Sequence, residues 1–204
     1  MKSDAIAFGI AGVLFGLIAG WIIGSQQTGL RPPVAAPPAA QQAPAAGGGA
    51  TTRAAVLDET QVQALKTVAD KEPANASPRA QLGNLYFDAE RYDDAIKWYG
   101  DALKLSPKDV NVSTDLGVSY YYSNQPDKAL AQFDTSLKLD PKHAKTLLNV
   151  GIVKAFGKQD LDGAGEAWKQ VIALAPDSPE GQAAKRALDS LTSAHAGVGK
   201  KPGA

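Results

Sequence analysis

Cysteine is absent from the 204 residues, and histidine occurs only twice, at His143 and His195. Without a thiol the chain has no disulfide, thiol nucleophile, cysteine-linked haem, cysteine zinc site or acylated lipoprotein cysteine. Neither histidine stands in a nucleophile or metal-ligand pattern, so no catalytic residue, metal or cofactor is expected. A charge imbalance is missing too: Lys plus Arg and Asp plus Glu number 21 each. With Lys2 and Asp4 set aside, residues 25–204 carry 20 of each sign. So neutral a chain lacks the basic excess of a nucleic-acid binder and the acidity of a solvating segment. The pair Asp93-Asp94 adjoins a turn, where it is expected to cap the following helix rather than to do acid–base chemistry.

What is present begins with 20 uncharged residues, Ala5 to Gly24. At roughly 1.5 Å per residue they make about 30 Å of helix, close to the thickness of a bilayer's hydrocarbon. The run exceeds the apolar core of a cleaved signal peptide, about 7–15 residues, and Trp21 stands near its far end like an interfacial anchor. Residues 1–24 are therefore expected to form an uncleaved transmembrane anchor. Lys2 and the terminal amine precede the run, and Arg31 is the first cation after it. The positive-inside rule then puts the amino terminus in the cytoplasm and exports the rest, into the periplasm in a Gram-negative cell. Gly12, Gly16, Gly20 and Gly24 form overlapping GxxxG motifs, a stripe on which a second copy or another membrane protein's helix could pack closely. Residues 25–54, rich in Pro, Ala, Gly and Gln, read as a flexible linker that reaches at most on the order of 90 Å. A PxxP ligand within residues 32–44 is the alternative reading there.

Beyond the linker, Gly83, Gly117 and Gly151 recur every 34 residues, and Pro73, Pro107, Pro141 and Pro176 are spaced at 34, 34 and 35. That period predicts stacked helical hairpins, each too small to bury its own apolar face. In each unit a first helix carries Leu82-Gly83, Leu116-Gly117 or Val150-Gly151. The second carries Ala95, Ala129 or Ala164 and, four residues on, Tyr99, Phe133 or Trp168. Small residues let helices approach, and the aromatic fills the space between them. The third unit's extra residue is expected in its inter-helix turn, Gly157 to Asp162. Asp58 to Glu72 reads as half an earlier unit, with Leu65 and Val68 facing inward. Pro179 to His195 has the spacing of a capping helix. The expected divisions are a half-repeat helix at 55–75, units at 76–109, 110–143 and 144–178, a cap at 179–195 and a disordered tail at 196–204.

The units resemble the tetratricopeptide repeat family, whose pattern is L-G-x-x-Y, then A, F/Y and P over 34 residues. Leu82, Gly83, Tyr86, Ala95, Tyr99, Ala102 and Pro107 match it, as do Leu116, Gly117, Tyr120, Ala129, Phe133 and Pro141. Gly151, Ala164, Trp168 and Pro176 match in the third unit, where Lys154 replaces the tyrosine. The resemblance implies an all-α solenoid and a concave groove, lined by the first helices, that binds other proteins. It places Gln81, Asn84, Phe87 and Asp88 in that groove, with Asp115, Val118, Tyr121 and Tyr122 from the second unit. Lys145, Asn149, Ile152 and Phe156 come from the third, while Tyr120 is expected in the core. Some members grip a terminal carboxylate with lysine, asparagine and arginine. Asn84 and Lys145 match that clamp, whereas Ala80, Asp115 and Asn149 depart from it. The expected function is a membrane-anchored adaptor or scaffold that docks or assembles envelope proteins and binds no nucleic acid. The alternatives are a cytochrome c maturation-type chaperone holding an apocytochrome, and a structural subunit held in a membrane complex by its span.

Overall fold

A computed structural model describes residues 56–198, which form eight α-helices and one π turn. In chain order these are α1 (Glu59–Lys71), α2 (Ser77–Asp88), α3 (Tyr92–Leu105), α4 (Val110–Tyr122) and α5 (Pro126–Leu139). Next come α6 (Ala144–Ile152) with the π turn Val153–Gly157, α7 (Leu161–Leu174) and α8 (Pro179–Val198). The pairs α2–α3, α4–α5 and α6–α7 are the three expected hairpins, and each helix packs on its neighbours in sequence. The expected span at residues 5–24, with its glycine stripe, the linker and the tail from residue 199 lie outside the described residues. Among the described residues no helix is long and apolar enough to cross a membrane. Helix α8 runs to Val198, three residues past the expected cap, and so takes in the start of the expected tail.

Helix starts obey local chemistry. The Asp58, Asp109 and Asp160 carboxylates accept backbone N–H bonds from Thr60, Val112 and Gly163 at 2.9–3.0 Å. Such caps satisfy donors that the helix itself cannot. Pro78 and Pro126 sit in first turns, where no amide donor is needed. Asp93 and Asp94 differ from expectation. Arg91 stands at the N-cap of α3 without a side-chain capping bond, and both carboxylates lie in the first turn, where the helix dipole favours them. There Asp94 pairs with Arg91 at 2.6 Å and Asp93 accepts the Ser123 hydroxyl at 2.8 Å.

The first helix of each hairpin ends on a left-handed residue that is not glycine: Glu90, Asn124 and Gln159, with φ of 58°, 59° and 58°. Arg91 and Gln125 then donate back to the Tyr86 and Tyr120 carbonyls at 2.8 Å, closing the chain reversal. A Cβ is strained in this conformation, and Asn bears it better than Glu. Glu90→Gly is therefore expected to raise stability by about 0.5 kcal/mol, the strain relieved less glycine's extra chain entropy. Asn124→Gly should gain less. Urea denaturation of the two variants checks the ranking.

The extra residue of the third unit does not sit in the turn. Helix α6 absorbs it as the π turn, in which Lys158 donates to the Val153 carbonyl at 3.0 Å. The insertion shifts the later residues of this helical stretch by one position around its axis. Ala155 is buried, while Lys154 pairs with Asp160 at 3.5 Å. The Lys154 carbonyl accepts the Asp160 amide at 2.8 Å, as the Tyr86 and Tyr120 carbonyls accept Arg91 and Gln125, so Lys154 keeps the tyrosine's place in the closing bond.

The core is built on the repeating glycines. A Cβ on Gly83 would stand 2.5 Å from the Tyr99 ring, and one on Gly117 or Gly151 would run into Phe133 or Trp168. Each ring is fully buried against the opposing backbone. Burying one such side chain contributes about 1.5–3 kcal/mol. The Trp168 indole also donates to the Leu148 carbonyl at 3.3 Å. In α1 the inward pair is Val62 and Ala69, with Leu65 at the edge and Val68 38% exposed. Leu65 packs against the core as expected, whereas Val68 turns outward and Ala69, the next residue, takes the inward place. Among the described residues no helix precedes α1, which packs mainly on α2.

The two seams between hairpins are bonded differently. At the first, Tyr92 of α3 stacks on Tyr122 of α4 with centroids 5.2 Å apart, beside the exposed Ser123–Asp93 bond. At the second, buried hydroxyls of Thr114 and Thr146 bond at 2.7 Å, and His143 Nδ1 joins Thr146 at 2.7 Å. Lys145–Asp115 and Lys158–Asp127 cross the same seam at 2.7 and 2.6 Å. Within the second hairpin, Ser113 and Ser136 hydroxyls bond at 2.7 Å, with Gln132 Nε2 donating to Ser113. No buried side-chain N or O among the described residues lacks a partner.

Candidate functional site

The first helices α2, α4 and α6 carry the expected groove residues. They fall into a polar strip and an aromatic strip. On the polar strip, the Tyr99 hydroxyl donates to Asn84 Oδ1 at 2.6 Å, which ties the amide to the core beneath it. Lys145 Nζ donates to Asp115 Oδ1 at 2.7 Å, the two side chains being 22% and 15% exposed. Burial pushes the Asp115 carboxyl above the usual carboxylate range, and Lys145 opposes that push. The Asp88 carboxyl is raised as well, first by burial and then by repulsion from Asp115. The two acids therefore feel one another across α2 and α4. Gln81 is exposed and donates to the Ser77 hydroxyl at 3.0 Å.

The aromatic strip is a cluster. Phe87 meets Tyr92 and Tyr122 edge-on at 5.4 and 5.5 Å between centroids, and Tyr121 meets Tyr122 edge-on at 5.5 Å. These geometries favour aromatic pairs beyond the area that they bury. All four rings are half-buried. Burial pushes the Tyr122 hydroxyl up to about 12. Phe156, partly buried, lies within the π turn of the third hairpin.

Three expected groove residues are closed off. Val118, 4% exposed, packs with Ala129, Phe133 and Val153, and Ile152 is 7% exposed. Asn149, 5% exposed, donates its amide to the Lys145 carbonyl. Val118 thus buries against the next hairpin through Val153, and the Asn149 amide bonds its own helix backbone. Tyr120 is half-buried between both apolar clusters, with Lys128 Nζ over its ring at 5.7 Å. Tyr92 joins the aromatic strip although it belongs to a second helix. Its signal in the sequence is an aromatic where the other hairpins open with Pro126 and Leu161.

Elsewhere, a concavity of about 430 Å³ lies between the α1–α2 loop and the start of α4. Its walls are short side chains such as Ala74, Ser77, Ala80 and Ser106, with Asp109 the one charge, already capping α4. No group of three or more His, Asp or Glu among the described residues is placed to hold a metal ion.

The family descriptions "TPR repeat" and "Tetratricopeptide repeat" match residues 83–122 and 112–143. None of the curated proteins matches the chain. Among solved structures, the Sgt2 tetratricopeptide domain from Aspergillus fumigatus is 26% identical with a TM-score of 0.55, over 63% of this chain and 85% of that one. The first tetratricopeptide domain of Spaghetti (RPAP3), bound to the HSP90 peptide SRMEEVD, is 24% identical with a TM-score of 0.53. It aligns over 60% of this chain and 94% of that one. MamA is 18% identical with a TM-score of 0.53, over 69% and 90%. With three glycine-on-aromatic hairpins in one array, the described residues have the all-α solenoid fold of these structures, and residues 83–143 within it match the tetratricopeptide repeat.

Proposed function

We propose that the protein is a membrane-tethered adaptor whose first-helix groove binds a segment of another protein. One observation carries the groove: half-buried rings of Phe87, Tyr121 and Tyr122 share a face with hydrogen-bonding Gln81 and Asn84. A peptide gains apolar contact from the rings and fixes its register on the amides. The Spaghetti structure, of the same fold, holds a peptide. The tether rests on the uncharged run at residues 5–24 and on the positive-inside argument for export, which make this an inner-membrane protein with a periplasmic solenoid. The glycine stripe would then bring the anchor against another helix, of a second copy or of a partner subunit. No residue favours an apocytochrome or a purely structural role over this reading.

The test is a photo-crosslinking side chain placed in the full-length protein in native membranes, at Gln81 in the groove or at the exposed Leu105 on the second helix α3. A discrete adduct from position 81 that is missing from position 105 is the expected result. Equal labelling, or none from position 81, would sink the groove. Recovery of the protein in the soluble fraction of lysed cells would sink the tether.

A further inference from the structure

We propose that the groove takes a cationic peptide segment flanked by apolar residues, and not a partner's terminal carboxylate. This rests on the adaptor groove proposed for the first helices and names the class of partner.

An anionic terminus would need a cation to meet it. Lys145 is the one lysine or arginine of the expected groove set, and its ammonium is held at 2.7 Å by Asp115 within a largely covered pair. Freeing it would leave Asp115 buried without a counter-charge, which costs more than an exposed pair returns. Ala80 offers no charge, and the Asn149 amide is turned to the Lys145 carbonyl. A carboxylate entering here finds no free cation.

A cation finds the opposite. Asp88 lies at the end of α2, half covered by its neighbours yet open to solvent, and no cation of the described residues pairs with it. It stands at the negative end of the helix, where its charge is least welcome. Its carboxyl is also raised by burial and by Asp115, so its ionised form is under-stabilised in the free protein. A guanidinium or ammonium from outside would correct all three. The neighbouring Phe87 begins the aromatic strip through Tyr122 to Tyr121, whose ring faces attract cations and whose edges pack on aliphatic side chains. With Asp88, Asp115 and Lys145 as its charged members, the groove set carries a net formal charge of −1. Charge and apolar surface thus sit side by side, and a partner alternating basic with apolar residues complements both.

The probe is a fluorescent dodecapeptide alternating arginine with leucine, amidated at its C terminus. Its competitor has glutamate for arginine and a free C-terminal carboxylate. Anisotropy with the full-length protein in detergent is expected to show the arginine peptide binding at least about tenfold tighter, on the scale of one charge-assisted hydrogen bond. Asp88→Asn should remove about that factor, while Asp134→Asn on the outer face of α5 leaves affinity unchanged. Asp88 is exposed, so the variant stays folded, which circular dichroism verifies. Equal or better binding of the glutamate peptide overturns the proposal, as does an arginine peptide indifferent to Asp88→Asn or no binding of either. In each of those cases the crosslink at position 81 still decides the groove by itself.

Discussion

Gly117→Val should lower stability by about 3 kcal/mol, at the upper end of what overpacking a core costs. The Phe133 ring occupies the space that the new side chain needs, and the ring cannot withdraw, because it is fully buried between α4 and α5. Relief must come from separating the two helices, which opens contacts along the whole hairpin. For a domain of this size the melting temperature should fall by roughly 10 °C. Gly100→Ala is the matched control. A Cβ there meets nothing within 4 Å, so alanine's better helix propensity should raise stability by about 0.5–1 kcal/mol. Thermal unfolding of both variants separates a packing role from a propensity effect. If Gly117→Val melts within a degree or two of the parent, the ring-on-backbone account of the repeat is wrong.

Lys145→Met is the second large effect, a loss of about 2 kcal/mol near neutral pH. Removing one partner of a well-buried pair costs about 3–5 kcal/mol, reduced here because both side chains keep some contact with water. Asp115 sets the direction with pH. Its carboxyl is already held above the ordinary carboxylate range, and loss of Lys145 raises it further. A group whose folded value is raised imposes no penalty below its unfolded value of 3.8, because both states are then protonated. The penalty grows as pH rises through the raised folded value. The variant should therefore approach the parent at acid pH and diverge from it above, in parallel urea titrations. A difference independent of pH would mean that Lys145 acts through its methylenes and not its charge.

The repeating skeleton was legible because it rests on one-to-one substitutions of bulk. Gly83, Gly117 and Gly151 face Tyr99, Phe133 and Trp168, and a period of 34 exposes such pairs without knowledge of the backbone path. The position of the extra residue was not legible in the same way. Whether it widens the loop at Gln159 or the last turn of α6 depends on which backbone bonds survive, and both choices keep the same apolar pattern. That one choice left Ala155 buried and Lys154 paired with Asp160. In α1 the inward turn of Ala69 rather than Val68 escaped for a related reason, since a terminal helix packed mainly on one neighbour can turn either of two adjacent residues toward it. The family resemblance placed Phe87, Tyr121, Tyr122, Val118 and Ile152 in the groove alike. The three rings are half-buried, while the branched aliphatic Val118 and Ile152 bury themselves, a difference that spacing alone does not carry. Tyr92 escaped because it sits on the other helix of its hairpin.

The unlike seams give the array unequal torsional stiffness. Hydrogen bonds weaken steeply as their angles change, so Thr114–Thr146, Asn111–His143 and Asp115–Lys145 pin the second and third hairpins at a set angle. The first seam relies on a buried core shared by Ala102, Val112 and Leu116, on Tyr92 stacked against Tyr122 and on the Ser123–Asp93 bond. Apolar packing sets no angle as sharply as hydrogen bonds do, so the second seam fixes the superhelical angle more narrowly than the first.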